Sequence, residues 1–233
     1  MSPFSLVTLT ALHLFGAAPQ AVGVVRVEGE HLFTMKQHER GGANGSVTLE
    51  RRYIDRQGAN VYQETATILE GVQRSQRSSD RQAKEEGRLR INGRVVEYWL
   101  KKADGSIETK RDDVDPPMVA STGLVPFIVR DDVWSRLLAG EQVRFSYLSW
   151  SQQENYRFLL VADPRSLRRV NGETFTVIMK PSSWIVRRLF DAIRYDFVRS
   201  ERRLIRYRGR ISVRKPVEGR YEDINEADVR FSR

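Results

Sequence analysis

Leu204-Ile205-Arg206-Tyr207-Arg208-Gly209-Arg210-Ile211-Ser212-Val213-Arg214 is the stretch from which the fold can be read. Taken with a period of two, it puts Ile205, Tyr207, Ile211 and Val213 on one side and Arg206, Arg208, Arg210 and Arg214 on the other. Side chains alternate between the faces of a sheet, so this is a strand with an apolar face and an arginine face. Such a strand is not stable alone, and its apolar face must be covered by more sheet or by a helix.

Outward from this stretch the alternation continues. Val143, Phe145 and Tyr147 share a face; so do Tyr156, Phe158 and Leu160, then Phe175, Val177 and Met179, then Ile193, Tyr195 and Phe197. For Tyr195 to meet Tyr207 and Phe197 to meet Ile205, the connecting loop must hold an odd number of residues. Ser200-Glu201-Arg202 is the simplest choice, and it sets Asp196 opposite Arg206. Earlier in the chain, Asn44-Gly45, Asn92-Gly93 and Asp104-Gly105 are hairpin signals, and Asn171-Gly172 is a fourth. They separate expected strands over 31–39, 46–53, 60–69, 71–78, 86–91, 94–100 and 106–110, with a further hairpin from 166–170 into 173–180. Hairpins in series make an antiparallel meander and argue against a parallel α/β fold.

Two segments read as helix. Asp131-Asp132 can cap a helix over 132–139 that Gly140 stops, and Ser182-Ser183 can cap one over 183–192. Residues 111–126, with Pro116-Pro117 and several acids, read as loop. The expected fold is mainly β: one antiparallel curved sheet or unclosed barrel with two short helices, occupying 22–233 as a single domain.

Composition bounds the function. A chain of 233 residues, 40% hydrophobic and 30% charged, is globular rather than disordered and can bury a core. It has no cysteine, which excludes disulfides, thiolate metal sites, a cysteine nucleophile and a lipidated cysteine. Residues 1–21 carry no charged side chain, and the apolar run over 4–15 is followed by Gly16, Ala17 and Ala18. This is the expectation of a secretory signal, with the remainder periplasmic. The missing basic residue before the run leaves an uncleaved anchor or a mis-assigned start as the other readings, although Gly16 and Pro19 make a poor spanning helix.

The net charge of +9 is unevenly placed. Residues 1–156 hold 20 basic and 20 acidic side chains, whereas residues 157–233 hold 19 basic and 10 acidic. Codon bias accounts for arginine over lysine but not for this segregation. A basic region facing anionic lipid or nucleic acid is the functional reading, and secretion would argue against nucleic acid.

No catalytic motif accompanies these features. Only His31 and His38 lie beyond the apolar N-terminus, and there is no Gly-x-Ser-x-Gly elbow. Gly41-Gly42-Ala43-Asn44-Gly45 lacks the Lys-Ser/Thr of a phosphate loop. Asp112, Asp113, Asp115, Asp131 and Asp132 match no calcium loop and form no recognisable catalytic pair. The expectation is a protein that is not an enzyme, with no cofactor and no metal.

Aromatic residues gather between 134 and 197, among them Trp134, Tyr147, Trp150, Tyr156, Phe158, Trp184, Phe190, Tyr195 and Phe197. Trp134, Phe145, Tyr147, Tyr156, Phe158, Trp184, Tyr195, Phe197, Ile205 and Tyr207 either fill a β core or line an apolar cavity for a greasy ligand. In the second case Arg206, Arg208 and Arg210 would face outward, toward anionic head groups or a partner.

The segments 123–141 and 195–209 resemble an uncharacterised family of bacterial envelope proteins, whose members are similar in fold to the LolA/LppX-type lipoprotein carriers. What the resemblance implies is an unclosed antiparallel barrel with helices at its mouth and a cavity able to shelter acyl chains. The expected function is a non-catalytic periplasmic binding or carrier module for an amphiphilic anionic ligand, an acylated lipid or lipoprotein, working near an anionic membrane surface. The alternative is a basic β domain that binds a partner protein or nucleic acid without a lipid cavity.

Overall fold

A computed structural model describes residues 20–169, 172–183, 191–218 and 220–232. Two meanders build it. The first runs β1 (Gln20–Val27), β2 (Glu30–Gly41), β3 (Ser46–Asp55), β4 (Asn60–Leu69), β5 (Val72–Asp80), β6 (Glu85–Asn92), β7 (Val95–Lys101) and β8 (Ile107–Asp113). The second starts with β9 (Met118–Ala120) and the helices α1 (Leu124–Ile128) and α2 (Asp131–Leu138), then β10 (Val143–Ser149), β11 (Glu154–Ala162), α3 (Pro164–Arg168), β12 (Thr174–Pro181), β13 (Ile193–Val198) and β14 (Arg203–Gly209). A small hairpin, β15 (Arg214–Val217) and β16 (Arg220–Asp223), precedes β17 (Ala227–Ser232).

β17 inserts between β1 and β14 and joins the meanders into one 15-stranded sheet that runs from β8 at one edge to β9 at the other. Every pairing in it is antiparallel except that of β9 with β10. β8 and β9 are not paired with each other, so the curved sheet is not closed into a barrel. The mainly β, antiparallel curved sheet read from the hairpin signals and the alternation is therefore what the chain forms, and it is unclosed, as expected.

The side chains on the inner face make two cores. Around the first meander, Phe33, Met35, Tyr53, Tyr62, Leu89 and Tyr98 pack with Val213 and Val229. Over the second meander, α1 and α2 press Phe127, Val133, Trp134 and Leu137 onto Phe145, Leu160, Phe175, Val177 and Phe197. Trp134 stands edge-on to Phe175 at 4.9 Å and to Phe197 at 5.4 Å between ring centroids, the favoured aromatic geometry.

Several local expectations are corrected. Tyr195 opposes Tyr207 and Asp196 opposes Arg206, but Phe197 opposes Leu204, not Ile205. The turn spans four residues, since Val198 pairs with Arg203. An even-numbered turn would invert the faces, and the register shift next to Phe197 adds the residue that restores parity. The segment expected as a strand over 166–170 instead begins in α3. Asp163 caps this helix by accepting from the Arg165 amide at 2.8 Å, and Pro164 takes its first turn. Met118–Ala120 and Leu124–Ile128 give the loop-like stretch a strand and a helix, and β1 was not foreseen. The helix expected over 132–139 is α2, but Asp131 and Asp132 do not cap it. Arg130 holds the N-cap position without a side-chain cap bond, and the two acids sit in the first turn, where they complement the helix dipole. Most of the one expected over 183–192 lies outside the described residues, as do residues 1–19 with the expected signal.

Candidate functional site

Where the two inner cores meet, the curved sheet leaves a cavity of about 670 Å³. Its walls follow from cross-strand register. On one side Met35, Tyr53, Tyr62 and Asp80 are consecutive partners across β2 to β5. On the other, Tyr147 pairs with Tyr156, and Tyr195 with Tyr207. All six tyrosines line the space. Tyr53 meets Tyr62 edge-on at 5.9 Å, and Tyr195 meets Tyr207 edge-on at 5.2 Å. These contacts hold the rings as walls rather than letting them collapse inward.

The next row along the same strands is polar. Gln37, Arg51, Glu64 and Ser78 are consecutive cross-strand partners on the inner face. Glu64, 1% exposed, is a hub. Its Oε1 accepts from Tyr62 Oη (2.7 Å), Gln76 Nε2 (3.1 Å) and Ser121 Oγ (2.5 Å), and its Oε2 from Thr122 Oγ1 (2.9 Å). Ser121 and Thr122 come from the turn after β9, so this buried carboxylate ties one edge of the sheet to the opposite meander. Arg51 donates from Nε and Nη2 to Gln37 Oε1 at 3.4 and 3.2 Å. Its Nη1 stands 3.7 Å from Glu64 Oε2, an ion pair beyond hydrogen-bond length. Burial works against the Arg51 charge, but the fields of Tyr53 and Glu64 outweigh it and hold its pKa above the ordinary arginine value.

Trp150 completes the wall by donating from Nε1 to Tyr62 Oη at 3.1 Å. Its indole lies so close to β6 that a Cβ on Gly87 would stand 2.0 Å from Trp150 Cε3. Burial raises the phenol pKa throughout the cluster, to about 12 for Tyr53 and Tyr156 and upward for Tyr62, Tyr147, Tyr195 and Tyr207. The hydroxyls therefore remain neutral donors at physiological pH.

Exposure distinguishes floor from mouth. The Arg51 side chain is 13% exposed, whereas those of Arg210 and Asp223, an ion pair at the rim, are 44% and 50% exposed. Gly209, at φ 143°, turns the chain off the sheet after β14 and delivers Arg210 to this rim. Asp223 also pairs with Arg214, and Gln82 holds the Arg214 backbone through both its N–H and its carbonyl, anchoring the β15–β16 hairpin beside the opening.

The structure separates the aromatic candidates into two sets. Tyr147, Tyr156, Phe158, Tyr195 and Tyr207 line the cavity. Trp134, Phe145 and Phe197 are solid core beneath α1 and α2. Ile205 lies at the register shift, and its neighbour Leu204 lines the space in its place. Trp184 lies outside the described residues. The arginines separate as well. Arg206 makes a two-pronged bond to Asp228 at 2.8 and 2.7 Å, and Arg208 pairs with Asp196 at 3.3 Å, while Arg210 leaves the ladder for the cavity rim. The outer ladder is thus an arginine–aspartate lattice whose charges its own neighbours answer, not an open cationic stripe.

Residue-based reading missed Arg51, Glu64 and Gln37. A signal was available: Arg51 sits at the inward parity between Leu49 and Tyr53, Glu64 between Tyr62 and Ala66, and Gln37 follows Phe33 and Met35. Among the described residues no group of three or more His, Asp or Glu gathers to hold a metal ion. Asp113 and Asp115 pair with Arg94, Asp131 with Arg202, and Asp132 with Arg130.

No family model matches the chain, and neither does any curated protein. Among solved structures, a DUF1329 family protein from Desulfovibrio piger aligns with 91% of this chain over 82% of its own, at 9% sequence identity and a TM-score of 0.25. A likeness that low carries no argument about this chain.

Proposed function

We propose that the protein is a non-catalytic binding module that shelters the apolar part of an amphiphilic ligand, an acylated lipid or lipoprotein, in the tyrosine-walled cavity, and that it does so in the periplasm. The observation that carries this reading is the cavity itself. Its 670 Å³ falls within the range of about 300–1,000 Å³ typical of small-molecule sites, and ring faces alternate with a few fixed polar groups around it. Burying each methylene contributes about 0.8 kcal/mol, so a chain of modest length supplies most of the affinity and the polar groups select its orientation. The outer arginines Arg206 and Arg208 take no direct part, being paired within the sheet. Attraction to an anionic membrane surface comes from the overall charge of +9.

The reading is tested by purifying the protein from envelope and cytosolic fractions, followed by native mass spectrometry and solvent extraction. Recovery from the periplasm with acyl lipid bound, and uptake of a fluorescent fatty acid with little salt dependence, is the expected result. An empty protein that takes up no fatty acid would leave a structural or partner-binding β domain.

A further inference from the structure

We propose that Arg51 is the receptor for a carboxylate head group, so that the amphiphile enters the cavity head first and its chain lies along the tyrosines toward the mouth. This rests on the cavity being a binding site and adds what the site recognises.

Arg51 has more donors than the protein answers. A guanidinium carries five N–H groups in a planar fork that matches a carboxylate. In Arg51, two nitrogens share one acceptor, Gln37 Oε1, one N–H bond goes to the Tyr53 hydroxyl, and Nη1 faces Glu64 at 3.7 Å, beyond hydrogen-bond length, so five donors meet fewer acceptors than they can use. Glu64 balances the charge, yet its own oxygens are occupied by Tyr62, Gln76, Ser121 and Thr122. The fork therefore keeps donor capacity on the cavity side, within reach of a ligand. Two neutral donors share that space: the Tyr147 and Tyr195 hydroxyls line the cavity and have no protein hydrogen-bond partner among the described residues.

The remaining charges set the direction. Arg210 and Arg214 at the mouth share Asp223, and Asp80, Glu85 and Asp191 also line the space. An anion held at the mouth would sit among carboxylates. At the floor it meets a buried cation and two phenols, and the carboxylate there, Glu64, is already bonded by four donors of its own.

Calorimetric titration of the delipidated full chain with decanoate, methyl decanoate and decyltrimethylammonium, which share one chain length, tests this. Charge-assisted bonds of this kind correspond to about 10-fold or more in affinity. Decanoate should bind at least about 10-fold tighter than its methyl ester, with the cation weakest. Arg51→Gln should bring decanoate down to the affinity of the ester and leave the ester unchanged, and Arg51→Lys should keep part of the preference. Because Arg51→Gln leaves Glu64 without its counter-charge, the double variant Arg51→Gln/Glu64→Gln repeats the measurement on a balanced floor. Equal binding of all three probes, or a carboxylate preference that survives in both variants, overturns the inference while the cavity reading stands. If none of the probes binds, both fall together.

Discussion

The two halves of the sheet carry the same alternation and use it differently. In β10 to β14 the inward positions are apolar almost throughout, and α1 and α2 close over them to make a filled core around Trp134, Phe175 and Phe197. In β2 to β5 the inward positions begin as Phe33, Met35 and Tyr53 and then reach Gln37, Arg51 and Glu64. The short 3-10 turn carrying Ser121 and Thr122 lies against that row and answers its polar groups. Apolar positions close up when covered, because interiors pack to crystal-like density. A row of polar groups that must all find partners holds its spacing, and a cavity persists beside it. The contrast shows why aromatic density alone pointed to the wrong half for several residues.

The largest test of this contrast is Trp134→Ala. Trp134 is 2% exposed between two rings, and its removal should cost about 3–5 kcal/mol in urea unfolding while leaving affinity for a fatty-acid probe unchanged. A small loss would mean that this half is not the solid one. Next in size, Glu64→Ala strands Arg51 and four donors. A loss of about 3 kcal/mol is expected, less when Arg51→Met is added, because the double change removes the uncompensated charge. Equal losses in the single and double variants would show the ion pair to be irrelevant.

Two tyrosines sharpen the comparison within the cavity. Tyr62 Oη bridges Glu64 and Trp150, so Tyr62→Phe should cost about 2 kcal/mol. Tyr147 Oη has no protein partner among the described residues, so Tyr147→Phe should stay within about 0.5 kcal/mol of wild type. Thermal melts of the pair decide this, and the reverse order would misplace the polar hub.

The smallest effect belongs to the outer lattice. Its hydrogen bond from Arg206, chiefly, holds the Asp228 pKa below the ordinary aspartate value. With the folded value lowered, that contribution to stability is present above the unfolded carboxylate pKa and fades as pH falls through the folded one. Asp228→Asn should therefore flatten the acid limb of a stability–pH profile, and added salt should weaken the difference because the pair is partly exposed. An unchanged profile would mean the lattice contributes nothing.

Strand alternation and turn residues were enough to read an antiparallel, unclosed β fold, the helix α2, and the pairing of Tyr195 with Tyr207. Each depends on residues near in sequence: side chains two apart share a face, and an acidic pair in the first turn of an apolar run favours a helix there. The polar row was visible only as isolated polar residues at inward positions of separate strands. Its existence as a site depended on register, since only the pairing of Gln37 with Arg51 and of Arg51 with Glu64 places them side by side.

Parity in the 193–209 hairpin was likewise beyond local reading. A four-residue turn and a register shift cancel there, and either alone would have turned Tyr207 away from the cavity. What the sequence by itself determined, then, was the face to which each side chain belongs, because that follows from backbone geometry at a single strand. Whether a face is filled, paired or left open was decided only in the tertiary structure. It depends on which strand lies alongside, on β17 joining two meanders end to end, and on where two helices come to rest.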